Sequence, residues 1–174
     1  MNDQFGPSVT GLFLEFSRRT LCEEYWPRLR GAVESLTPEQ VWWRPNDASN
    51  TVGNLLLHLN GNVRQWLVTA FSDAPDLRER QAEFRETQQT PAAELLKALG
   101  ATMQDSSAVL TRLTDADLRR THDIQGYTVS GLDAVYHVVE HFGMHYGQIL
   151  YITKLVRGED LAFYATLNET GRLP

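Results

Sequence analysis

Cysteine is nearly missing from this chain. Cys22 is the only one in 174 residues, so no intrachain disulfide can form. Long apolar runs are missing as well. The richest stretches, around Leu55–Leu59 and Val135–Leu155, are broken by Asn, His, Glu, Gln or Lys. Neither approaches the ~20 uninterrupted apolar residues that cross a bilayer, which excludes a membrane span. The opening residues, Met1-Asn2-Asp3-Gln4-Phe5-Gly6-Pro7, lack the basic and apolar regions of a signal peptide. A soluble cytoplasmic protein is expected. Positive charge is in deficit too: 16 Lys+Arg against 22 Asp+Glu give a net charge of −6 and a pI near 5.3. Duplex binding draws much of its affinity from cations set against phosphates, so no nucleic-acid partner is expected. The one compact cationic cluster, Arg78–Arg80, is interrupted by Glu79 and followed by Glu83 and Glu86. Internal repeats, glycine-rich phosphate loops and sustained β alternation are absent from the sequence pattern.

What is present is an ordinary globular mixture, 42% hydrophobic and 22% charged. The length suits a single domain over 1–174, able to bury roughly 70% of its unfolded surface without disulfides. Four segments show helical spacing. The first starts at Ser8 as N-cap and carries Val9, Leu12, Phe13, Phe16, Leu21, Tyr25, Leu29 and Val33, with a kink expected at Pro27. Thr37-Pro38-Glu39-Gln40 reads as a fresh start for a single turn. The second long helix is expected from Asn50 or Thr51 to about Phe71, on a stripe of Val52, Leu55, Leu56, Leu59, Val63, Trp66, Leu67 and Ala70. Ser72 to Gln89 reads as a long polar crossing connection with a helical turn around Leu77–Phe84. Thr90-Pro91 is expected to cap the third helix, with a stripe of Ala92, Leu95, Leu96, Leu99, Met103, Val109, Leu110 and Leu113. Thr114 to Val129 is a second connection. Ser130-Gly131 caps the fourth helix, whose core stripe is expected to be Leu132, Val135, Tyr136, Val139, Gly143, Tyr146 and Leu150. Leu161 to Pro174 shows no period and is expected to lie across the bundle or fray. The fold class is all-α, a four-helix bundle whose long connection permits a topology other than simple up-and-down.

The chemistry lies with the histidines. Three of five sit in His137-Val138-Val139-Glu140-His141-Phe142-Gly143-Met144-His145, two overlapping HxxxH units. On a helix, residues four apart stand one turn above each other, so two imidazoles can aim at one cation. The plain alternative is that each imidazole is hydrogen-bonded within a core. His58, amid Leu55, Leu56, Leu57 and Leu59, is the candidate third ligand from the second helix. Three neutral imidazoles favour Zn, Ni, Fe or Co over Mg or Ca and leave positions open for water or substrate. HExxH and the di-iron carboxylate pattern are missing. Cys22 has no basic neighbour and reads as a structural thiol. His122, beside Asp123, reads as a solvated loop residue.

Two blocks carry a resemblance: Trp42-Trp43-Arg44-Pro45 followed by Asn50-Thr51-Val52-Gly53-Asn54-Leu55-Leu56-Leu57-His58-Leu59-Asn60-Gly61-Asn62, and His137 through Ile149. The chain resembles the DinB/YfiT-like metalloenzyme superfamily, in a pattern that extends to Lys154-Leu155-Val156-Arg157-Gly158-Glu159-Asp160. The resemblance implies an up-down-down-up four-helix bundle, often a homodimer. It also implies a divalent metal, Zn or Ni ahead of Fe or Co, held by His58, His141 and His145. His137 is a near-site residue or alternative ligand. Tyr146 departs from relatives that carry a second basic or imidazole residue before the Gly-Gln pair. Characterised relatives include transferases and isomerases that use low-molecular-weight thiols such as bacillithiol, mycothiol or glutathione. The leading expectation is therefore a metal-dependent thiol S-transferase acting on a small-molecule substrate, with a low-molecular-weight thiol as cosubstrate. A non-catalytic metal-binding or dimerising bundle and a metal-dependent hydrolase are the alternatives. Asn54, Asn62 and Gln148 are candidates to support the ligands, or ordinary caps of buried polar groups. Trp42, Trp43, Tyr146 and Tyr151 are read as packing residues. Nothing in the sequence selects the thiol or the electrophile.

Overall fold

The structure, a computed structural model, describes residues 8–86, 89–165 and 171. Ser8 opens the first rod, its Oγ accepting from the Gly11 amide at 3.0 Å. Helix α1 (Val9–Arg19) runs through a π-helical segment, Thr20–Tyr25, directly into α2 (Trp26–Glu34). Pro27 cannot donate to the turn behind it and crowds that turn's carbonyl. The disturbance expected there takes the form of a widened π turn just ahead of the proline.

Thr37 and Gln40 cap each other around the single turn α3 (Pro38–Val41). Thr51 does the same with Asn54 at the start of α4 (Val52–Val63), which continues as a second π-helical segment, Arg64–Thr69. The expected stripe from Val52 to Leu67 is buried throughout, and Ala70 is half-buried. The polar connection that follows holds α5 (Arg80–Arg85). Helix α6 (Ala92–Arg112) departs from expectation at its start. Pro91 itself stands at the N-cap, so Thr90 supplies no side-chain cap. Its apolar stripe from Leu95 to Leu110 is buried.

The second connection is more ordered than the sequence suggests. It forms α7 (Asp115–Arg119) and a hairpin of β1 (Thr121–Ile124) and β2 (Tyr127–Ser130), with Thr121 opposite Ser130 and Ile124 opposite Tyr127. The turn residues Gln125 and Gly126 both have positive φ, 55° and 81°, which a two-residue primed turn requires. Four-residue strands are too short to show alternation, and Gln-Gly is a weaker turn signal than Asn-Gly.

Ser130 and Asp133 cap α8 (Gly131–Arg157), and Gly158 ends it in the left-handed region at φ 69°. Its inward face is Ala134, Val135, Val138, Phe142, His145, Ile149 and Thr153, which corrects the predicted stripe. Leu132 and Tyr136 instead stand outward, 47% and 60% exposed. A helix apolar around most of its circumference gives periodicity little power to choose a face. Packing against the other rods decides it, and rotates the histidine column toward the core.

Four rods, α1–α2, α4, α6 and α8, make an up-down-down-up bundle around Leu21, Leu29, Leu56, Leu59, Leu99 and Phe142. In that order α6 runs parallel to α4. After Gly158, Phe163 and Tyr164 lie under the Arg28 guanidinium at 5.9 and 5.4 Å. Residues 166–170 and 172–174 of the C-terminal segment lie outside the described residues, as do residues 1–7 and 87–88. No helix among the described residues is long and apolar enough to cross a membrane.

Candidate metal centre

The cap at Thr51 sets the phase of α4. With Leu55, Leu56 and Leu59 in the core, His58 is turned toward α8 and is only 3% exposed. On α8, His141 and His145 stack one turn apart, with ring centroids 4.5 Å from each other and 4.9 and 5.0 Å from that of His58. One ring nitrogen from each of these three lies within 4.8 Å of the others. Nε2 of His58 and Nε2 of His141 approach to 3.1 Å. Two nitrogens each about 2.0–2.1 Å from a tetrahedral zinc stand roughly 3.3 Å apart, so the observed spacing is close to a ligand pair's.

The outward nitrogens fix the tautomers. His58 Nδ1 lies 2.8 Å from Glu83 Oε2. A carboxylate oxygen at that distance needs a proton between the two atoms, so Nδ1–H donates and the Nε2 lone pair faces inward. Burial pushes the Glu83 carboxyl up, but hydrogen bonds from His58 and Arg78 outweigh it and hold it below the usual carboxylate value. Arg78 donates from Nε and Nη2 to the two Glu83 oxygens at 2.7 and 3.0 Å. His145 Nδ1 is 2.7 Å from Gln148 Oε1, an acceptor, so it too donates outward and leaves Nε2 free. His141 Nδ1 is buried without a partner among the described residues.

The surroundings of the α8 histidines disfavour their charged forms. Burial first, then the neighbouring His145, His58 and His137 and the Arg78 charge, push His141 down to about 3. Burial likewise lowers His145 and His137. Metal ligands must be unprotonated, so the lowered His141 and His145 suit a divalent cation without a proton being removed from them first. Converging imidazole nitrogens suit Zn, Ni, Fe or Co, and a carboxylate–histidine pair behind a ligand is a recurrent feature of such centres.

His137 stands apart from the trio. Its ring centroid is 5.1 Å from that of His141, its Nε2 faces Asn62 Nδ2 at 3.1 Å, and its ring meets Trp66 at 4.1 Å with the planes tilted by 39°. Asn54 reaches the centre indirectly, donating from Nδ2 to the Glu83 carbonyl at 3.0 Å. His122 is half-buried against Phe71, with its Nε2 shut off from solvent, rather than solvated as its sequence context suggests. Cys22 lies at a distance, half-buried, its thiol pushed up by burial.

Sequence reasoning missed Glu83 and Arg78, which the polar connection delivers 25 and 20 residues away from His58. It missed the hairpin as well. Gln125 at its tip donates to Gln65 Oε1 at 2.6 Å, the same oxygen that accepts from Arg78 Nη1 at 2.8 Å. A cavity of about 430 Å³ opens beside His58 and His141, walled by Trp66, His137, Arg80, Tyr127 and Val129. A larger trough of about 900 Å³ runs past Cys22, Trp26 and Met103 between α2 and α6, but no histidine lines it. The chemistry points to the smaller cavity.

Residues 21–149 match the DinB superfamily. Three solved structures share the fold. YfiT from Bacillus subtilis, described as a probable metal-dependent hydrolase with an unusual four-helix bundle topology, superposes with a TM-score of 0.70 at 18% identity, covering 92% of this chain and 95% of its own. A conserved protein from Enterococcus faecalis gives 0.64 at 18% identity over 88% and 100%. A DinB-like protein from Bacillus cereus gives 0.62 at 14% identity over 85% and 92%. No curated protein matches the sequence significantly.

Proposed function

This chain belongs to the DinB superfamily, and from that premise we propose that it is a divalent-metal-dependent enzyme whose metal is held by His58, His141 and His145. The observation that carries the reading is the convergence of three imidazole nitrogens within 4.8 Å of one another, with Glu83 and Gln148 fixing two of the rings from behind. Zn or Ni suits the donors best, with Fe or Co next. The cation, when bound, supplies Lewis acidity that makes a thiol or water at an open position a stronger nucleophile near neutral pH.

The chain's own groups do the positioning. Glu83 keeps the His58 proton on Nδ1, and Gln148 does the same for His145. Arg78 keeps Glu83 ionised, and Asn54 holds the Glu83 backbone. Trp66 and His137 wall the cavity. The first reading of the chemistry is transfer of a low-molecular-weight thiol to a small electrophile. This is supported by neutral nitrogen donors that tolerate a soft sulfur ligand and by the resemblance of the sequence blocks. The second reading is hydrolysis, favoured by the likeness to YfiT. The resemblance of the sequence blocks supports a homodimer, which sedimentation velocity tests.

Protein purified without a polyhistidine tag should contain one equivalent of metal by elemental analysis. The cobalt-substituted form, titrated with glutathione or bacillithiol, should develop a sulfur-to-cobalt charge-transfer band if thiol transfer is correct. Cobalt without that band, together with turnover of an ester or amide, moves the assignment to hydrolase. Metal that raises only the melting temperature leaves a structural centre.

A further inference from the structure

The balance of charge around the three histidines bears on what the cavity takes. The candidate ligands are neutral imidazoles, so they cancel none of a divalent cation's charge. The Arg78–Glu83 pair is internally neutral. Asp133 also lines the cavity and stays anionic, its Oδ2 accepting from the Ser130 amide and hydroxyl at 3.0 and 2.6 Å. Arg80 remains. It lines the same cavity as His58 and His141, and its guanidinium rests over the Phe84 ring at 5.1 Å, which in turn lies 4.7 Å from the His58 ring. Among the described residues that contact is aromatic, not ionic, so the guanidinium edge stays free for an incoming acceptor. The chain is otherwise acidic, with a net charge of −6. Arg80 therefore offsets Asp133, and a divalent cation uncancelled by its ligands would leave the loaded cavity net positive within an acidic chain.

The cavity walls sharpen the class of ligand. Trp66 and His137 pack together at 4.1 Å as an aromatic wall, Val129 is apolar, and Tyr127 on the hairpin is 63% exposed at the rim. About 430 Å³ holds a small organic molecule and not a polymer.

We propose that Arg80 is a specificity-determining residue: it binds a carboxylate on a small anionic substrate whose reacting end lies at the three-histidine centre. This rests on the metal-centre reading given above. Arginine suits the task because its planar fork meets a carboxylate with two parallel hydrogen bonds, where lysine offers a point charge.

The test compares two ligands that share one carboxylate and differ in the other end. Succinate and its monoamide, succinamate, are titrated calorimetrically into zinc-loaded wild-type protein, R80Q and R80K. Wild type should prefer succinate by about tenfold, the value of one charge-assisted pair. R80Q should bring the preference within about twofold while elemental analysis still shows full zinc, and R80K should keep part of it. A wild-type protein with no preference, or R80Q with an unchanged one, overturns the proposal. If zinc does not bind stoichiometrically, the metal-centre reading fails by itself. In metal-free protein both ligands present a carboxylate to Arg80, so affinity itself then decides: R80Q should weaken succinamate about tenfold, and an unchanged affinity overturns the proposal.

Discussion

Glu83 Oε2 stands 2.8 Å from His58 Nδ1, and that contact settles which nitrogen of His58 faces the centre. Both side chains are almost fully buried, and Arg78, also buried, closes the other side of the carboxylate. In Glu83→Gln the amide keeps the shape but loses the charge that holds the His58 proton on Nδ1 and that pairs with Arg78. Outer partners of this kind are worth about 10–100-fold in metal affinity. Zinc affinity of E83Q, measured by competition with a chromogenic chelator, should fall in that range. An unchanged affinity would show that the His58 tautomer is set elsewhere.

Gly61 lies one turn beyond His58, and its missing side chain is what lets the connection approach. A Cβ there would collide with the Glu83 carboxylate and stand 2.8 Å from Arg78 Nε. Gly→Ala inside a helix ordinarily stabilises by about 0.5–1 kcal/mol. Gly61→Ala should do the opposite, lowering the melting temperature and weakening zinc as E83Q does. A raised melting temperature with unaltered zinc affinity would show that α5 can shift without cost.

How much of this was legible in the sequence follows from range. Thr51 with Asn54, and Ser130 with Asp133, are three residues apart, so the start of α4 and of α8 can be read directly. The HxxxH spacing is equally local, and α4 has one clear apolar stripe that leaves His58 on its shoulder. Glu83 looks like one more acid in a charged stretch. Its burial depends on a chain reversal and on Gly61, neither of which leaves a periodic mark. The inward face of α8 was misread for a related reason. Leu132 and Tyr136 are as apolar as Val138 and Phe142, and only the neighbouring rods distinguish them.

Acid should weaken the metal-free fold in a defined window. Burial holds His137, His141 and His145 below the ordinary histidine value of 6.5, with His141 at about 3. Above pH 6.5 these rings are neutral in both folded and unfolded chains, and their contribution is fully present. As pH falls below 6.5 the unfolded chain takes up protons that the folded chain refuses, so stability declines progressively toward pH 3. Urea midpoints of metal-free protein should therefore drop between pH 7.5 and 5, before most carboxylates titrate. His141→Ala should show a shallower decline. An identical pH slope in wild type and variant would remove His141 from that account.

The separation between His137 and the other three rings gives the sharpest test of the ligand set. His137 stands on the same face as His141, one turn back, and by spacing alone either HxxxH pair serves equally well. The structure distinguishes them: His58, His141 and His145 converge, while His137 Nε2 faces Asn62 and its ring packs at a tilt against Trp66. His141→Ala should lose stoichiometric metal yet keep most of its helical circular dichroism, because Val135, Val138, Phe142 and Ile149 still fill the inward face of α8. His137→Ala should retain one equivalent of zinc and lose the packing against Trp66, visible as a change in tryptophan fluorescence. His122→Ala should alter neither. Full zinc in H141A, or its loss in H137A with H141A intact, would assign the centre to the other pair.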